Sequence, residues 1–207
     1  MSTAAVWLVD DDREVRNALS LLLRTAGHRV HAHDSGESLL KVVSSSCRGC
    51  LLIDVRLQGM DGLALQRELI RCHIHLPRIF ISGHGDIPLA VRAVNEGGRD
   101  FIEKPPDEQT LLQAIEAAIE ADRLWSTTYA NTLRTEALID TLTPRELEVM
   151  TLMLEGQPSK SIANALGASV RTVEVHRARI LEKLEVSNSG EMISRVLATP
   201  SRGARDS

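Results

Sequence analysis

Four apolar runs in the N-terminal half each end on a residue that can do chemistry: AVWLV runs into Asp10, Asp11 and Asp12, CLLI ends on Asp54, RIFI on Ser82 and DFIE on Lys104. Adjacent carboxylates repel, so a chain that clusters them needs compensation from a cation, a basic side chain or solvent. Carboxylate oxygens that leave room for water suit Mg2+, a hard divalent ion that also neutralises phosphate charge. The economical assignment makes Asp11 and Asp54 direct ligands, with Asp10 acting through water. A hydroxyl at Ser82 and an ammonium at Lys104 are groups that stabilise a phosphoryl group, whose transfer needs positioning and charge neutralisation more than covalent machinery. Asp12 alone reads more simply, as the N-cap of a following helix.

These residues meet only if the chain folds so that their strand ends coincide. The pattern is a fivefold alternation. AVWLVD precedes a helical pattern through Val15, Leu19, Leu22 and Leu23. HRVHAH precedes one from Glu37 to Val43, CLLID one from Leu63 to Ile70, RIFIS one from Leu89 to Val94, and DFIEK a long one from Glu108. Strands separated by helical crossovers predict an α/β fold, a doubly wound five-stranded parallel sheet covered on both faces. In such sheets ligands bind at the carboxyl ends of the strands, where Asp10, Asp11, Asp54, Ser82 and Lys104 all fall.

At 207 residues, 43% hydrophobic and 25% charged, the chain can bury two modest cores. It carries no signal-peptide pattern and no apolar run near the roughly 20 residues that span a bilayer, so a cytoplasmic protein with no membrane partner is expected. The spacing Cys47-Arg-Gly-Cys50 suits a redox pair or half a metal site, but with no further ligands nearby the simpler reading is a buried Cys50 opening a strand and Cys47 in a loop. Up to Ile139 there are 15 Lys/Arg against 19 Asp/Glu, and from Asp140 nine of each. Neither half has the basic excess of a strong non-specific nucleic-acid binder, so any DNA contact must come from local clustering.

Through VDDD, LLIDVRLQGMDG, FISGHGD and DFIEKP, residues 4 to about 121 resemble the receiver domains of bacterial two-component response regulators, which have a flavodoxin-like fold. The resemblance implies that Asp54 accepts a phosphoryl group from a sensor histidine kinase, and that Asp10, Asp11, Asp54 and the backbone carbonyl of Arg56 hold Mg2+. Ser82 is the hydroxyl able to swing toward an acyl phosphate, which adds about two negative charges. Phe101 would then rotate inward and alter the face of the fourth helix, fifth strand and fifth helix. Lys104-Pro105 would be cis. Leu57-Gln58-Gly59 stands where the family often has Met-Pro-Gly, and Arg99 and Pro106 also depart from its pattern. An aspartyl-phosphate phosphatase would need a second acid two residues after its nucleophile, and Asp54-Val55-Arg56 has none. Self-phosphorylation and autodephosphorylation are therefore the only reactions expected, and the chain is not read as a turnover enzyme.

The fifth helical pattern passes Trp125 into polar TTYANTLRTEALIDT, read as a partly helical linker over residues 122–139. Thr143-Pro144-Arg145-Glu146 then forms a capping box with proline at the first helical position. Further helices are expected over Ser159 to Ala165, Val170 to Leu184 and Ser189 to Leu197, with Gly156 and Gly167 at helix ends. Residues 200–207 read as a disordered tail.

SIANALGASVRTVEVHRARILEKL has helix-turn-helix spacing. Its second helix carries Arg171, Arg177, Arg179 and Lys183 against Glu174 and Glu182, a pattern that by itself equally describes a solvated face. Residues 140 to about 198 resemble the four-helix DNA-binding domain of the LuxR and FixJ type. By position in that resemblance Val175 and Arg179 are candidates for base contact, and Lys160, Arg171, Thr172, His176 and Arg177 for phosphate contact. Glu185 stands where glycine is common. The expected whole is a receiver (1–121), a linker (122–139) and a LuxR-type helix-turn-helix domain (140–199). Its partners would be a sensor histidine kinase, double-stranded promoter DNA, RNA polymerase and, on phosphorylation, a second copy. The alternative is a phosphorylation-independent DNA-binding or interaction module.

Overall fold

The computed structural model describes residues 4–83 and 87–199. Residues 84–86, within the FISGHGD motif, and residues 200–207, expected to form a disordered tail, lie outside the described residues. The chain divides into two compact units, one through Ser126 and one from Thr127.

In the first unit β1 (Ala5–Val9), β2 (Arg29–His33), β3 (Gly49–Asp54), β4 (Arg78–Ser82) and β5 (Asp100–Glu103) form one sheet in the order β2-β1-β3-β4-β5. Every pairing is parallel. The crossovers are α1 (Arg13–Thr25), α2 (Gly36–Leu40), α3 (Gly62–Arg71) and α4 (Ile87–Asn95), followed by α5 (Glu108–Ile139). Alternate residues of each strand enter opposite cores. Trp7, Val9, Leu51, Ile53 and Phe80 pack with α2, α3 and Ala93 of α4, while Leu8, Leu52, Ile79 and Ile81 pack with α1 and α5. Burial on both faces explains why β1 and β3 are buried along their whole length. The register sets Val9 beside Ile53, Asp54 beside Ile81 and Ser82 beside Glu103, so the strand ends share one edge.

Two expectations are corrected. The helix expected from Glu37 to Val43 starts at Gly36 and stops at Leu40, because β-branched Val42 and Val43 followed by three serines favour a turn, from which Val43 still reaches the core. Residues 122 to 139, expected to be a partly helical linker, continue α5 without a break, and 122 to 126 belong to the first unit. Asp122 is buried and accepts the Gly49 amide at 2.8 Å, and Trp125 stacks on His75 at 3.7 Å. Cys47 and Cys50 are unpaired and pack into opposite cores. Burial pushes the Cys50 thiol up to about 12, in keeping with its place as a small apolar residue opening β3.

The second unit contains α6 (Pro144–Leu154), α7 (Ser159–Ala165), α8 (Val170–Lys183) and α9 (Ser189–Leu197). Val149, Met153, Ile162, Val173, Ile180 and Met192 form its core. The capping box is complete: Thr143 Oγ1 accepts from the Glu146 amide at 3.3 Å and Glu146 Oε2 from the Thr143 amide at 2.8 Å. Lys183 Nζ donates to the same Glu146 Oε2 at 2.7 Å and to the Thr141 carbonyl at 3.0 Å, fastening α8 to the start of α6. Gly156 and Gly167 take positive φ at helix ends. Glu185 does so too, at φ 53, a conformation that carries a steric cost for any residue with a Cβ. Its carboxylate pairs with Arg134 on the surface, where such a pair stabilises little.

Two measurements follow from this geometry. Glu185→Gly is expected to raise the stability of the helical unit by about 0.5–1 kcal/mol, read as a higher denaturation midpoint. The Lys183 ammonium, with the Thr143 amide, holds Glu146 down at about 2, against an ordinary 4.5. A depressed carboxyl contributes stability that is complete above 4.5 and is lost as pH falls from there toward 2. Acid titrations of stability are expected to show this limb in the wild type and lack its share in Glu146→Gln.

Candidate functional site

The carboxyl edge of the sheet is a cleft of acids around one amine. Oxygens of Asp10, Asp11 and Asp54 lie within 4.8 Å of one another. Lys104, at the end of β5, donates through Nζ to Asp10 Oδ2 at 2.8 Å and to Asp54 Oδ2 at 2.5 Å. Asp10 is fully buried and Asp54 nearly so. Burial pushes the Asp10 carboxyl up against the opposing pull of the ammonium. Burial works to lower Lys104, but its bonds to Asp10 and Asp54 and their charge outweigh it and leave the amine raised. The ammonium is therefore firmly protonated and is the charge that lets two buried acids coexist.

Local structure aims each group. Asp12 caps α1 by accepting from the Glu14 and Val15 amides at 2.8 and 3.2 Å, which starts the helix just after the acids. The Asp12 amide donates to Asp10 Oδ1 at 2.9 Å, and the Arg56 amide to Asp54 Oδ1 at 3.0 Å. Gly62, the first residue of α3, lies so close to the Asp54 carbonyl that a Cβ there would sit 2.6 Å from it. Ser82 is fully buried at the same edge, and its carbonyl accepts from the Lys104 amide at 2.7 Å. Phe101 lies opposite Phe80 in β5 and is half-buried against the α3 and α4 side of the sheet. The Lys104-Pro105 peptide is cis.

Sequence reasoning missed three contributors. Arg16, on the first turns of α1, donates through Nη1 to the carbonyls of Asp10 at 2.7 Å and Asp11 at 3.2 Å, holding the turn that presents both acids. The Gln58 amide donates to Asp11 Oδ2 at 3.3 Å, and Glu37 accepts the Met60 amide at 3.2 Å. An arginine six residues after a strand-end acid was the available signal for the first. The others are bonds made by main-chain donors, the Gln58 and Met60 amides, which no side-chain pattern announces.

A cation fits this cleft. The donors are hard carboxylate oxygens from Asp10, Asp11 and Asp54, gathered closely enough to share one ion, and the Lys104 ammonium, which pairs with Asp10 and Asp54, offsets only part of their negative charge.

On the helical unit, α8 presents Arg171, Thr172, Val175 and Arg179 as exposed, and Lys160 of α7 is exposed as well. Val173 and Ile180 turn into the core. His176 and Arg177 lie on the flank, only partly exposed, with Arg177 Nη2 donating to Ser189 at the start of α9 at 3.1 Å. Ser169 caps α8 through the Thr172 amide at 3.0 Å, so the exposed residues stand on a helix with a firm N-terminus.

A strand-edge acid cleft on a doubly wound sheet, joined to a helix-turn-helix unit, defines a phosphorylation-controlled DNA-binding protein. The response regulator receiver domain model matches residues 6–116, and the model of bacterial regulatory proteins of the luxR family matches residues 140–196. The transcriptional regulatory protein FixJ of Rhizobium meliloti is 38% identical over 204 residues, covering 96% of this chain and 97% of FixJ. Nodulation protein W of Bradyrhizobium diazoefficiens is 40% identical over 190 residues, covering 92% and 84%. Among solved structures, the response regulator StyR superposes with a TM-score of 0.82 at 38% identity, over 93% of this chain and 98% of that one. The chain belongs to the two-component response regulators of the FixJ and LuxR type, and controls transcription in a phosphorylation-dependent way. Among the described residues no helix is long and apolar enough to cross a membrane.

One consequence is thermodynamic. Asp10 is an acid held buried at a cost. Asp10→Asn is expected to stabilise the metal-free first unit by about 1–2 kcal/mol in urea denaturation while weakening divalent-cation binding.

Proposed function

We propose that Asp54 is the phospho-acceptor, charged by a sensor histidine kinase, and that its modification drives dimerisation and promoter binding. The observation that carries this reading is the convergence of Asp10, Asp11, Asp54 and Lys104 at one sheet edge. An Asp54 carboxylate oxygen attacks the phosphorus of a phosphohistidine, the P–N bond breaks, and the imidazole leaves with its electron pair and takes up a proton. Asp10, Asp11, Asp54 and the Arg56 carbonyl would hold Mg2+, whose chemistry is neutralisation of the phosphoryl oxygens. Asp54 surrenders its charge to the acyl bond, so the Lys104 ammonium turns to the incoming phosphoryl oxygens. The Arg56 amide stays beside the acceptor carboxyl. Ser82 moves its hydroxyl toward the phosphoryl group, and Phe101 follows into the space vacated. Small donors such as acetyl phosphate react by the same displacement, and water later hydrolyses the acyl phosphate.

In the second unit Val175 and Arg179 read bases, while Lys160, Arg171, Thr172, His176 and Arg177 meet phosphates. A helical domain carrying no net charge binds DNA modestly, and a dimer on two half-sites multiplies the affinity. RNA polymerase is the partner at the promoter, and the cytoplasm is where kinase and DNA are both available.

The test is capture of genomic DNA by purified protein with and without acetyl phosphate and Mg2+, alongside Asp54→Asn. A two-half-site motif enriched only by phosphorylated wild type is expected, and equal enrichment by both proteins would sink the switch. Against the operator so found, Arg179→Ala is expected to cost about 1–3 kcal/mol and relax preference at one base. Arg171→Ala is expected to weaken binding evenly across sequences and lower the salt dependence, as read by fluorescence anisotropy.

A further inference from the structure

In the segment between β3 and α3, alternate main-chain amides each meet a carboxylate. The Arg56 amide donates to Asp54 Oδ1 at 3.0 Å, the Gln58 amide to Asp11 Oδ2 at 3.3 Å and the Met60 amide to Glu37 Oε1 at 3.2 Å. The segment is a succession of bends with Gly59 at φ 79, and it is this folded course that brings the three amides to three different carboxylates. The middle bond has a particular partner. Lys104 hydrogen-bonds Asp10 and Asp54, whereas Asp11, which is only half-buried, accepts from Gln58.

Resting on the reading of the cleft as a cation and phosphoryl site, we propose that the Gln58 main-chain amide is a positioning donor that holds Asp11 in the cleft for the cation. Asp10 and Asp54 repel Asp11, and a half-exposed aspartate left to itself relaxes its side chain toward water. The amide opposes this by offering a donor on the cleft side. A carboxylate has two oxygens with lone pairs to spare, so a bond to Oδ2 leaves acceptor capacity for a metal ion. Fixing the side chain beforehand removes part of the ordering cost of binding. Arg16 adds to this from behind by holding the carbonyls of Asp10 and Asp11, so carboxylate and main chain of Asp11 are both tied. The donor belongs to the backbone, so the identity of the Gln58 side chain does not matter and the presence of an N–H does.

That distinction is the test. Gln58→Pro removes the donor, while Gln58→Ala removes the same side chain and keeps it. Full-length, metal-free protein is titrated with Mn2+, following the electron paramagnetic resonance signal of the free ion. The expected result is a Kd weakened about 3- to 10-fold in Gln58→Pro relative to both wild type and Gln58→Ala, the scale of one hydrogen bond at a partly exposed site. Asp11→Ala should weaken it further. A Gln58→Pro Kd equal to or tighter than wild type, with Asp11→Ala impaired, overturns the positioning role alone. Wild type that fails to bind Mn2+, or Asp11→Ala that binds it like wild type, overturns the cleft reading and the proposal with it. Should Gln58→Pro fail to fold, the Gln58 amide resonance decides. In metal-free Asp11→Ala it should move upfield and exchange faster than in wild type, and an unmoved resonance overturns the proposal.

Discussion

A single ammonium makes the acid cleft possible. Lys104 bridges Asp10 and Asp54, the first fully buried and the second nearly so, and two unpaired carboxylates at that depth would cost more than a domain of this size can spare. Everything around the cleft serves that arrangement. The parallel register brings β1, β3, β4 and β5 to a common edge, and the Asp12 cap starts α1 immediately beyond the acids. The main-chain donors of residues 12, 56 and 58 add partial positive charge beside the carboxylates. The site is thus balanced on the acid side and open to added positive charge.

The helical unit solves a comparable problem with the same kind of partner, a lysine ammonium. Glu146 is buried, and its carboxylate accepts from two donors, the Thr143 amide of the capping box and the Lys183 ammonium. This couples a helix start, which any sequence with a good cap specifies, to the far end of α8. The Arg177 bond to Ser189 and the Arg195 bond to the Leu184 carbonyl at 2.7 Å tie α8 and its exit to α9. Much of the positive charge on this neutral unit is therefore committed internally, and the exposed basic residues of α8 reduce to Arg171 and Arg179. Affinity for DNA must rest on few contacts.

The alternation of short apolar runs with helical patterns made the sheet legible, because parallel strands buried on both faces leave a long apolar signature that β1 and β3 carry in full. The acids, Ser82 and Lys104 were legible for the same reason, as each closes a strand. Helix ends were legible where capping chemistry is explicit, as at Thr143 and Asp12. The end of α2 was not, because Val43 is apolar and buried whether it sits in a helix or in the turn that follows. The continuity of α5 was hidden by its threonines, whose weak helical preference is outweighed by packing, since Thr132 and Thr135 are buried. His176 and Arg177 could not be assigned to the flank of α8 from spacing alone, since that depends on how α9 packs.

The fastening of Lys183 onto Glu146 and Thr141 bears on how quickly such a protein can let go of DNA. A reading helix that is already folded, capped at one end by Ser169 and clamped at the other, gains no order when it docks. In the proposed function no refolding delays its departure, so a single unit is suited to brief visits, and residence at a promoter would be a property of how many units are held there together. On that proposal, control over transcription would rest in numbers rather than in the shape of the reading surface.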